Sequence, residues 1–76
     1  MRLLTENGYD IPYDECVVYM ETAGSRDITV NATIRGRNFV LGRYRTMEEV
    51  RNMRNKMEKA YCDGKKYFDI AKEEAR

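Results

Sequence analysis

The segment at residues 46–64, TMEEVRNMRNKMEKAYCDG, carries signals for both ends of one α-helix. Thr46 suits the N-cap, and Glu49 three residues later completes a capping box. Gly64 suits the position that follows a helix C-cap. Apolar side chains recur every three or four residues and form one stripe, made of Met47, Val50, Met53, Met57, Ala60 and Tyr61. The sequence therefore predicts one main helix, at about residues 47–62, that packs on a sheet through this stripe.

The segment before this helix has the pattern of an antiparallel meander. DITVNATI, residues 27–34, alternates apolar and polar side chains, which is typical of a half-buried strand. RGRN then predicts a hairpin with Gly36 at the bend, and FVLGRY predicts the returning strand. CVVYMET, which begins at Cys16, is rich in β-branched and aromatic residues and predicts a strand before both. Three antiparallel strands are therefore expected between residues 15 and 45.

The two ends of the chain add shorter elements. MRLLT predicts a strand that ends in a tight Asn7-Gly8 turn. Pro12 lacks a backbone donor, so residues 9–15 are expected to be extended and irregular or to lie at a sheet edge. KYFDI, residues 66–70, has strand composition and is expected to pair with a sheet edge, with MRLLT as one candidate. The tail at residues 71–76 is expected to fray or to form a short helix.

Together these patterns predict an α+β fold. We expect an antiparallel sheet of three to five strands with one main helix packed on one face. The 76 residues form a single domain, 1–76, with a thin core, because so short a chain buries only about 60–65% of its unfolded surface. Oligomerisation would add buried surface, and the methionines of the helix stripe could serve either the core or a second subunit. A monomer and a homo-oligomer both remain open.

The numbers of cysteine and histidine residues limit the metal sites and disulfides that the chain can form. The chain has two cysteines, Cys16 and Cys62, and no histidine. These are too few ligands for a zinc site, so no metal is expected. One disulfide is an alternative, but two thiols without a secretory signal are more typical of a reduced cytoplasmic protein. No apolar run approaches the roughly 18 residues that a membrane span requires, so no membrane partner is expected.

The same composition argues against catalysis. Histidine is the commonest general base and the usual partner of a nucleophilic side chain. The carboxylates of Asp10, Asp14 and Glu15 lie in a connecting segment without a spacing that favours acid and base roles. Gly36 and Gly42 do not form a phosphate-binding glycine loop, because no helix begins directly after either. We expect a protein that is not an enzyme and has no cofactor.

Arginine is the residue type that is unevenly placed. The net charge is only +1, yet residues 28–45 contain four arginines and no acidic residue, whereas residues 1–27 contain six acidic and two basic residues. Arg35, Arg37, Arg43 and Arg45 could hold phosphates through their guanidinium groups while the Tyr44 ring stacks on a base. The alternative is a soluble hairpin whose basic side chains protect a sheet edge.

Two points about the arginines stay open at this level. A bulge at Gly42 would change the face on which Arg43 and Arg45 lie, so strand alternation alone does not place them. The acidic residues of the amino-terminal third could also fold over the arginines and neutralise them.

Two short motifs lie on either side of the predicted meander: DIPYD, Asp10 to Asp14, after an Asn-Gly turn, and the helix cap YRT, Tyr44 to Thr46. They resemble motifs of a family of small proteins encoded by phages and prophages of Firmicutes. The resemblance covers about residues 1–61 and implies a phage origin without implying a reaction. Small phage proteins commonly act by binding, either as regulators of transcription or by blocking host immunity.

Residues 28–64 resemble a second family, the Apetala-type DNA-binding domain. That domain is a three-stranded sheet backed by one helix, and its sheet enters the major groove. The resemblance implies DNA contacts from Arg35, Arg37, Arg43 and Arg45.

The functional expectation is a non-enzymatic binding protein of phage origin that acts in the host cytoplasm as a counter-defence factor. It would sequester a phosphate-bearing nucleotide ligand or cover a host protein. The second candidate is a DNA-binding module that uses the arginine-rich hairpin.

Overall fold

The computed structural model describes residues 1–74 of the chain, which form six strands and two helices. The strands are β1 (Arg2–Leu4), β2 (Asp10–Pro12), β3 (Val17–Thr22), β4 (Ile28–Ile34), β5 (Arg37–Tyr44) and β6 (Tyr67–Asp69). The helices are α1 (Met47–Cys62) and α2 (Ile70–Glu74), and a short 3-10 turn, Tyr13–Glu15, lies between β2 and β3. Residues 75 and 76, the end of the tail that we expected to fray or form a helix, lie outside the described residues.

The strands divide between two sheets of three strands each. The first sheet has the order β2-β1-β6, with β2 antiparallel and β6 parallel to β1. The second, which we call the meander sheet, has the order β3-β4-β5 and is antiparallel throughout. The predicted α+β class with one main helix is confirmed, and the pairing of KYFDI with MRLLT is also confirmed. The division into two sheets was not predicted, and it arises because β1 has a partner strand on each of its edges.

Helix α1 begins and ends where its capping residues predict. Thr46 has an extended backbone, and its Oγ1 atom accepts a hydrogen bond from the Glu49 N–H at 3.2 Å. At the other end Gly64 has a φ of 75°, and the Lys65 N–H donates to the Ala60 carbonyl at 3.0 Å. Both contacts satisfy backbone groups that have no partner inside the helix.

A β-bulge interrupts the pairing of β4 with β5. Val30 lies opposite Gly42, whereas the next residue, Asn31, lies opposite Val40, so Leu41 is the additional residue. The bulge near Gly42 is confirmed. Because it changes the alternation of β5, both Leu41 and Tyr44 point toward the core.

The core lies between α1 and the face of the meander sheet that carries Ile28, Val30 and Ala32. We call this the inner face, and the opposite side of the sheet the outer face. Leu3, Ile11 and Phe68 come from three neighbouring strands of the first sheet and pack into the same core. The buried apolar residues are Leu3, Ile11, Ile28, Val30, Ala32, Leu41, Tyr44, Val50, Met53, Met57, Phe68 and Ile70.

Cys16 and Cys62 are both free thiols, so the disulfide alternative is not realised. Among residues 1–74, neither helix combines the length and the apolar composition needed to pass through a lipid bilayer.

Candidate functional site

The four arginines named from the sequence fall into two pairs at opposite ends of β5. Arg35 lies in the turn before the strand, and Arg37 is the first residue of the strand. Arg43 is near its end, and Arg45 follows it. A strand rises about 3.3 Å per residue, so roughly 20 Å of strand separates Arg37 from Arg43.

Arg37 and Arg43, the members of the two pairs that lie within β5, are on different faces of the meander sheet. Arg37 pairs with Ile34, whose inner-face neighbours are Ala32 and Val30. Arg43 pairs with Thr29 on the outer face. A ligand of nucleotide size therefore cannot contact both pairs, and the arginines form two separate sites at most.

The turn between β4 and β5 places Arg35 at the tip of the hairpin. Arg35 has a φ of 51° and Gly36 a φ of 82°. Two successive residues with positive φ are typical of a type I′ turn, whose twist matches that of the flanking strands. Residues other than glycine seldom adopt a positive φ, and such positions are enriched at functional sites.

The first pair of arginines lines a concave surface between the hairpin and the first sheet, which we call the hairpin cleft. Its volume is about 320 Å³. The lining residues are Ile11, Pro12, Glu15, Ile34, Arg35, Arg37 and Phe39. Four of the seven are apolar, and two of the other three are cationic.

An aromatic group forms part of the wall of the hairpin cleft. The Phe39 ring meets the Tyr9 ring at an angle of 66° with centroids 5.0 Å apart. The Arg37 guanidinium lies 5.8 Å from the Phe39 centroid, within the range of a cation–π interaction. This arrangement holds a cation beside an aromatic surface, which is suited to a ligand that has both an anionic and a flat apolar part.

The charges of the hairpin cleft are only partly compensated within the chain. Glu15 lies 3.8 Å from Arg35, and both side chains are largely exposed, so this ion pair is weak. Among the described side chains, those of residues 1–73, no carboxylate lies within 4 Å of the Arg37 guanidinium. The cleft therefore keeps a net positive charge.

The second pair of arginines is more dispersed. Arg43 lies 3.6 Å from Asp27 on the outer face, and Arg45 is exposed beyond the end of the strand. The amino-terminal third thus does approach two of the four arginines, through Glu15 and Asp27. Asp10 pairs with Arg2 instead, at 2.7 Å.

Tyr44 differs from the role given to it in the predicted site. Its side chain belongs to the core, and the residue is only 7% exposed. The ring is therefore not available for stacking on a base, and this part of the prediction is corrected. The bulge at Leu41 is the physical reason, because it directs Tyr44 to the inner face.

Sequence patterns missed the apolar and aromatic half of the hairpin cleft. Ile11 and Pro12 come from β2, and Phe39 comes from β5 of the other sheet. Pro12 marked an edge strand, but no local pattern indicates that this strand lies beside the hairpin. The aromatic candidate nearest to the arginines is Phe39 rather than Tyr44.

Comparisons with family models, with curated proteins and with solved structures gave no match. The part of the chain that the structure describes contains no group of three or more Asp, Glu or Cys side chains arranged to hold a metal ion.

Proposed function

We propose that this protein is a small binding protein without catalytic activity, and that its hairpin cleft holds a phosphate-bearing ligand the size of one nucleotide. The observation that carries the proposal is the pairing of the Arg37 guanidinium with the Phe39 ring in one cleft. Guanidinium groups bind phosphate through two parallel hydrogen bonds. An aromatic ring offers a stacking surface for a base.

The dimensions of the cleft agree with a ligand of this size. Small-molecule sites span roughly 300–1,000 Å³ and combine an apolar lining with a few polar groups. The hairpin cleft, at about 320 Å³, lies at the small end of that range. Arg35 and Arg37 would bind the phosphate, and Phe39 with Pro12 would contact the base or the sugar.

We further propose that the protein acts in the bacterial cytoplasm as a counter-defence factor of phage origin. The resemblance of the DIPYD and YRT segments to phage and prophage proteins supports this role. Many host defences use nucleotides as signals, and a protein that sequesters the signal would block the response without a chemical step.

Calorimetric titration with a panel of nucleotides tests the binding proposal. The panel contains nucleoside monophosphates, cyclic mononucleotides and cyclic dinucleotides, with inorganic phosphate as a reference. Arg37→Ala removes a charge-assisted contact, so we expect affinity to fall about 10- to 100-fold. Arg26→Ala removes an exposed arginine that does not line the cleft, and it should bind as the unaltered protein does. No binding to any member of the panel, or equal losses in the two variants, would exclude the hairpin cleft as a nucleotide site.

DNA binding through the meander sheet is the second candidate. The observation in its favour is a three-stranded antiparallel sheet with one helix on its inner face, the arrangement that the Apetala resemblance implies. On the outer face, however, Arg43 lies opposite Thr29, and Thr29 lies opposite Glu21. Arg43 also lies beside Asp27. This face is therefore less cationic than a surface that enters a DNA groove.

The two candidate functions predict that different variants lose binding affinity. The Apetala resemblance gave all four arginines as DNA contacts, but Arg37 lies on the inner face, so DNA binding through the outer face depends on Arg43 and Arg45. Its affinity should fall steeply with salt in proportion to the number of phosphates contacted. Nucleotide binding requires Arg35 and Arg37. Measuring both ligands with Arg37→Ala and Arg43→Ala separates the two candidates. Nucleotide binding predicts that only Arg37→Ala weakens the ligand, and DNA binding predicts that only Arg43→Ala does.

A further inference from the structure

The outer edge of β3 is open. β3 is the terminal strand of the meander sheet, and β4 is its only neighbour among the described strands. Val17 and Met20, both in this strand, are 68% and 42% exposed. An open edge presents unpaired backbone N–H and C=O groups, which natural proteins usually protect with charges, proline or a bulge. β3, with the sequence VVYMET, has one charged residue and no proline.

A second cleft lies beside this edge, between β3 and α1, and we call it the helix cleft. Its volume is about 340 Å³. The lining residues are Tyr13, Val18, Arg51, Arg54, Asn55, Met57 and Glu58. It shares no residue with the hairpin cleft.

Two cations of the helix cleft have no acidic partner among the side chains that the structure describes. Arg51 and Arg54 are three residues apart, so they lie on the same side of α1. Among the side chains of residues 1–73, no carboxylate is within 4 Å of either guanidinium. The carboxylate of the cleft, Glu58, accepts a hydrogen bond from the Tyr13 hydroxyl at 2.9 Å.

Val18 belongs to β3 and also lines the helix cleft, so the open edge and the helix cleft are adjacent. A strand added to the open edge of β3 would direct every second side chain toward α1. We propose that this edge binds an acidic, extended peptide segment as a fourth strand of the meander sheet, with its carboxylates directed to Arg51 and Arg54. The mode is β-strand addition, in which backbone hydrogen bonds supply affinity and alternate side chains supply specificity. The proposal does not depend on the function of the hairpin cleft.

The open edge favours a peptide over a nucleic acid. Both ligands could neutralise the arginines, but only a polypeptide backbone provides the regular N–H and C=O groups that continue a β-ladder.

A second copy of the same chain fits less well. Directly opposed residues of an antiparallel pair lie on the same face of the sheet. The residues of β3 on the helix side are Val18, Met20 and Thr22, because they pair with the inner-face residues of β4. In a two-fold antiparallel pair, β3 of a second copy would place the same three residues on the helix side and bring no carboxylate to Arg51 or Arg54.

Fluorescence anisotropy with a labelled synthetic peptide tests the proposal. The probe alternates glutamate and valine over roughly eight residues, which is enough to span a strand the length of β3. Two control peptides have the same composition with the two residue types in separate blocks, or carry a proline at the centre that interrupts the ladder. We expect the alternating peptide to bind and both controls to bind at least about tenfold more weakly.

Protein variants test the contribution of the arginines. Arg51→Glu with Arg54→Glu should weaken the alternating peptide at least about tenfold, because attraction becomes repulsion at two positions. Lys56→Glu with Lys59→Glu makes the same charge change at the same spacing on α1, but these lysines line a different groove. This matched control should retain most of the affinity. Amide resonances of residues 17–22 should shift on binding if the peptide adds to β3.

Several results would overturn the proposal. These are equal affinity for the alternating and block peptides, equal losses in the two double variants, or unchanged resonances at residues 17–22. Binding of single-stranded DNA in place of the peptide would show that the cleft recognises nucleic acid. Self-association through β3 that displaces the peptide would identify a second copy as the occupant.

Discussion

The Tyr13 hydroxyl donates a hydrogen bond of 2.9 Å to the Glu58 carboxylate, although the two residues are 45 positions apart in the chain. Tyr13 begins the 3-10 turn after β2, and Glu58 lies in the second half of α1. The Tyr13 ring also contacts the Tyr61 ring, with centroids 5.2 Å apart. These contacts join the turn that follows β2 to α1, and Tyr13 and Glu58 both line the helix cleft.

Tyr13→Phe should lower the free energy of unfolding by roughly 0.5–1.5 kcal/mol at neutral pH, because it removes this hydrogen bond and keeps the ring. Burial, reinforced by the Glu58 carboxylate, raises the pKa of Tyr13 from 10.0 to about 12. The folded protein therefore holds the phenolic proton more tightly than the unfolded chain. This contribution to stability is fully present below pH 10.0 and is lost as the pH rises toward about 12.

Urea unfolding of the two proteins over this pH range measures the effect. The stability difference between the unaltered protein and Tyr13→Phe should shrink as the pH increases above 10.0. Tyr67→Phe is the matched control, because Tyr67 is 59% exposed and no hydrogen bond of its hydroxyl is present among the described residues. A difference that stays constant with pH would mean that Tyr13 titrates normally.

Thr46→Ala should destabilise the protein by about 1 kcal/mol, because the Glu49 N–H would lose its acceptor at the start of α1. Thr46→Ser keeps the hydroxyl oxygen and should restore most of the stability. Thermal or urea unfolding monitored by helical circular dichroism measures both variants. If serine and alanine are equally destabilising, the hydroxyl does not act as the N-cap and the loss has another cause.

The boundaries of α1 were predictable because the signals are local. The N-cap at Thr46 and the glycine turn at Gly64 each act within four residues of the helix end, so their effect can be read from neighbouring letters. The hairpin at Gly36 was predictable for the same reason. Each of these features depends little on contacts with residues that are distant in the sequence.

The division into two sheets depends on distant contacts and could not be predicted in this way. β1 and β6 are three residues each and are separated by more than sixty positions. Strands this short have no stability of their own, and only their common packing through Leu3 and Phe68 holds them together. Local composition suggested that KYFDI pairs with MRLLT. It could not indicate that these strands form a sheet separate from the meander sheet.

The candidate site was predictable only in its cationic half. The cluster of arginines is visible in the sequence, but the bulge at Leu41 decides which face each residue after it occupies. One additional residue reverses the alternation, so Tyr44 enters the core and Arg43 lies on the outer face. Arg37 and Phe39 are two residues apart in β5, so alternation places them on one face. The position of Pro12 beside them depends on the packing of two sheets, which leaves no periodic signal.

Leu41→Ala should test whether the additional residue of the bulge is buried in the core. Leu41 is 1% exposed, so truncation should cost about 2–5 kcal/mol of stability through lost burial and a cavity. Val40→Ala changes the neighbouring residue, which is 37% exposed, and should alter stability by about 0.5 kcal/mol or less. Chemical denaturation of the two variants compares adjacent positions of one strand. A larger loss for Val40→Ala would show that β5 faces the core with its other side at these two positions.

Arg35→Asn should shift stability and ligand affinity in opposite directions. Arg35 has a φ of 51°, which asparagine tolerates better, and Asn-Gly is the preferred pair in type I′ turns. Stability should therefore rise by up to about 1 kcal/mol, since the exposed ion pair with Glu15 contributes little. Nucleotide affinity should fall, because the guanidinium at the hairpin tip is removed. Arg43→Asn is the control: it places a poor strand former within β5, so stability should fall and nucleotide affinity should stay unchanged. If Arg35→Asn lowered stability and left affinity unchanged, arginine would serve the turn itself, and the ligand would have to bind through other residues.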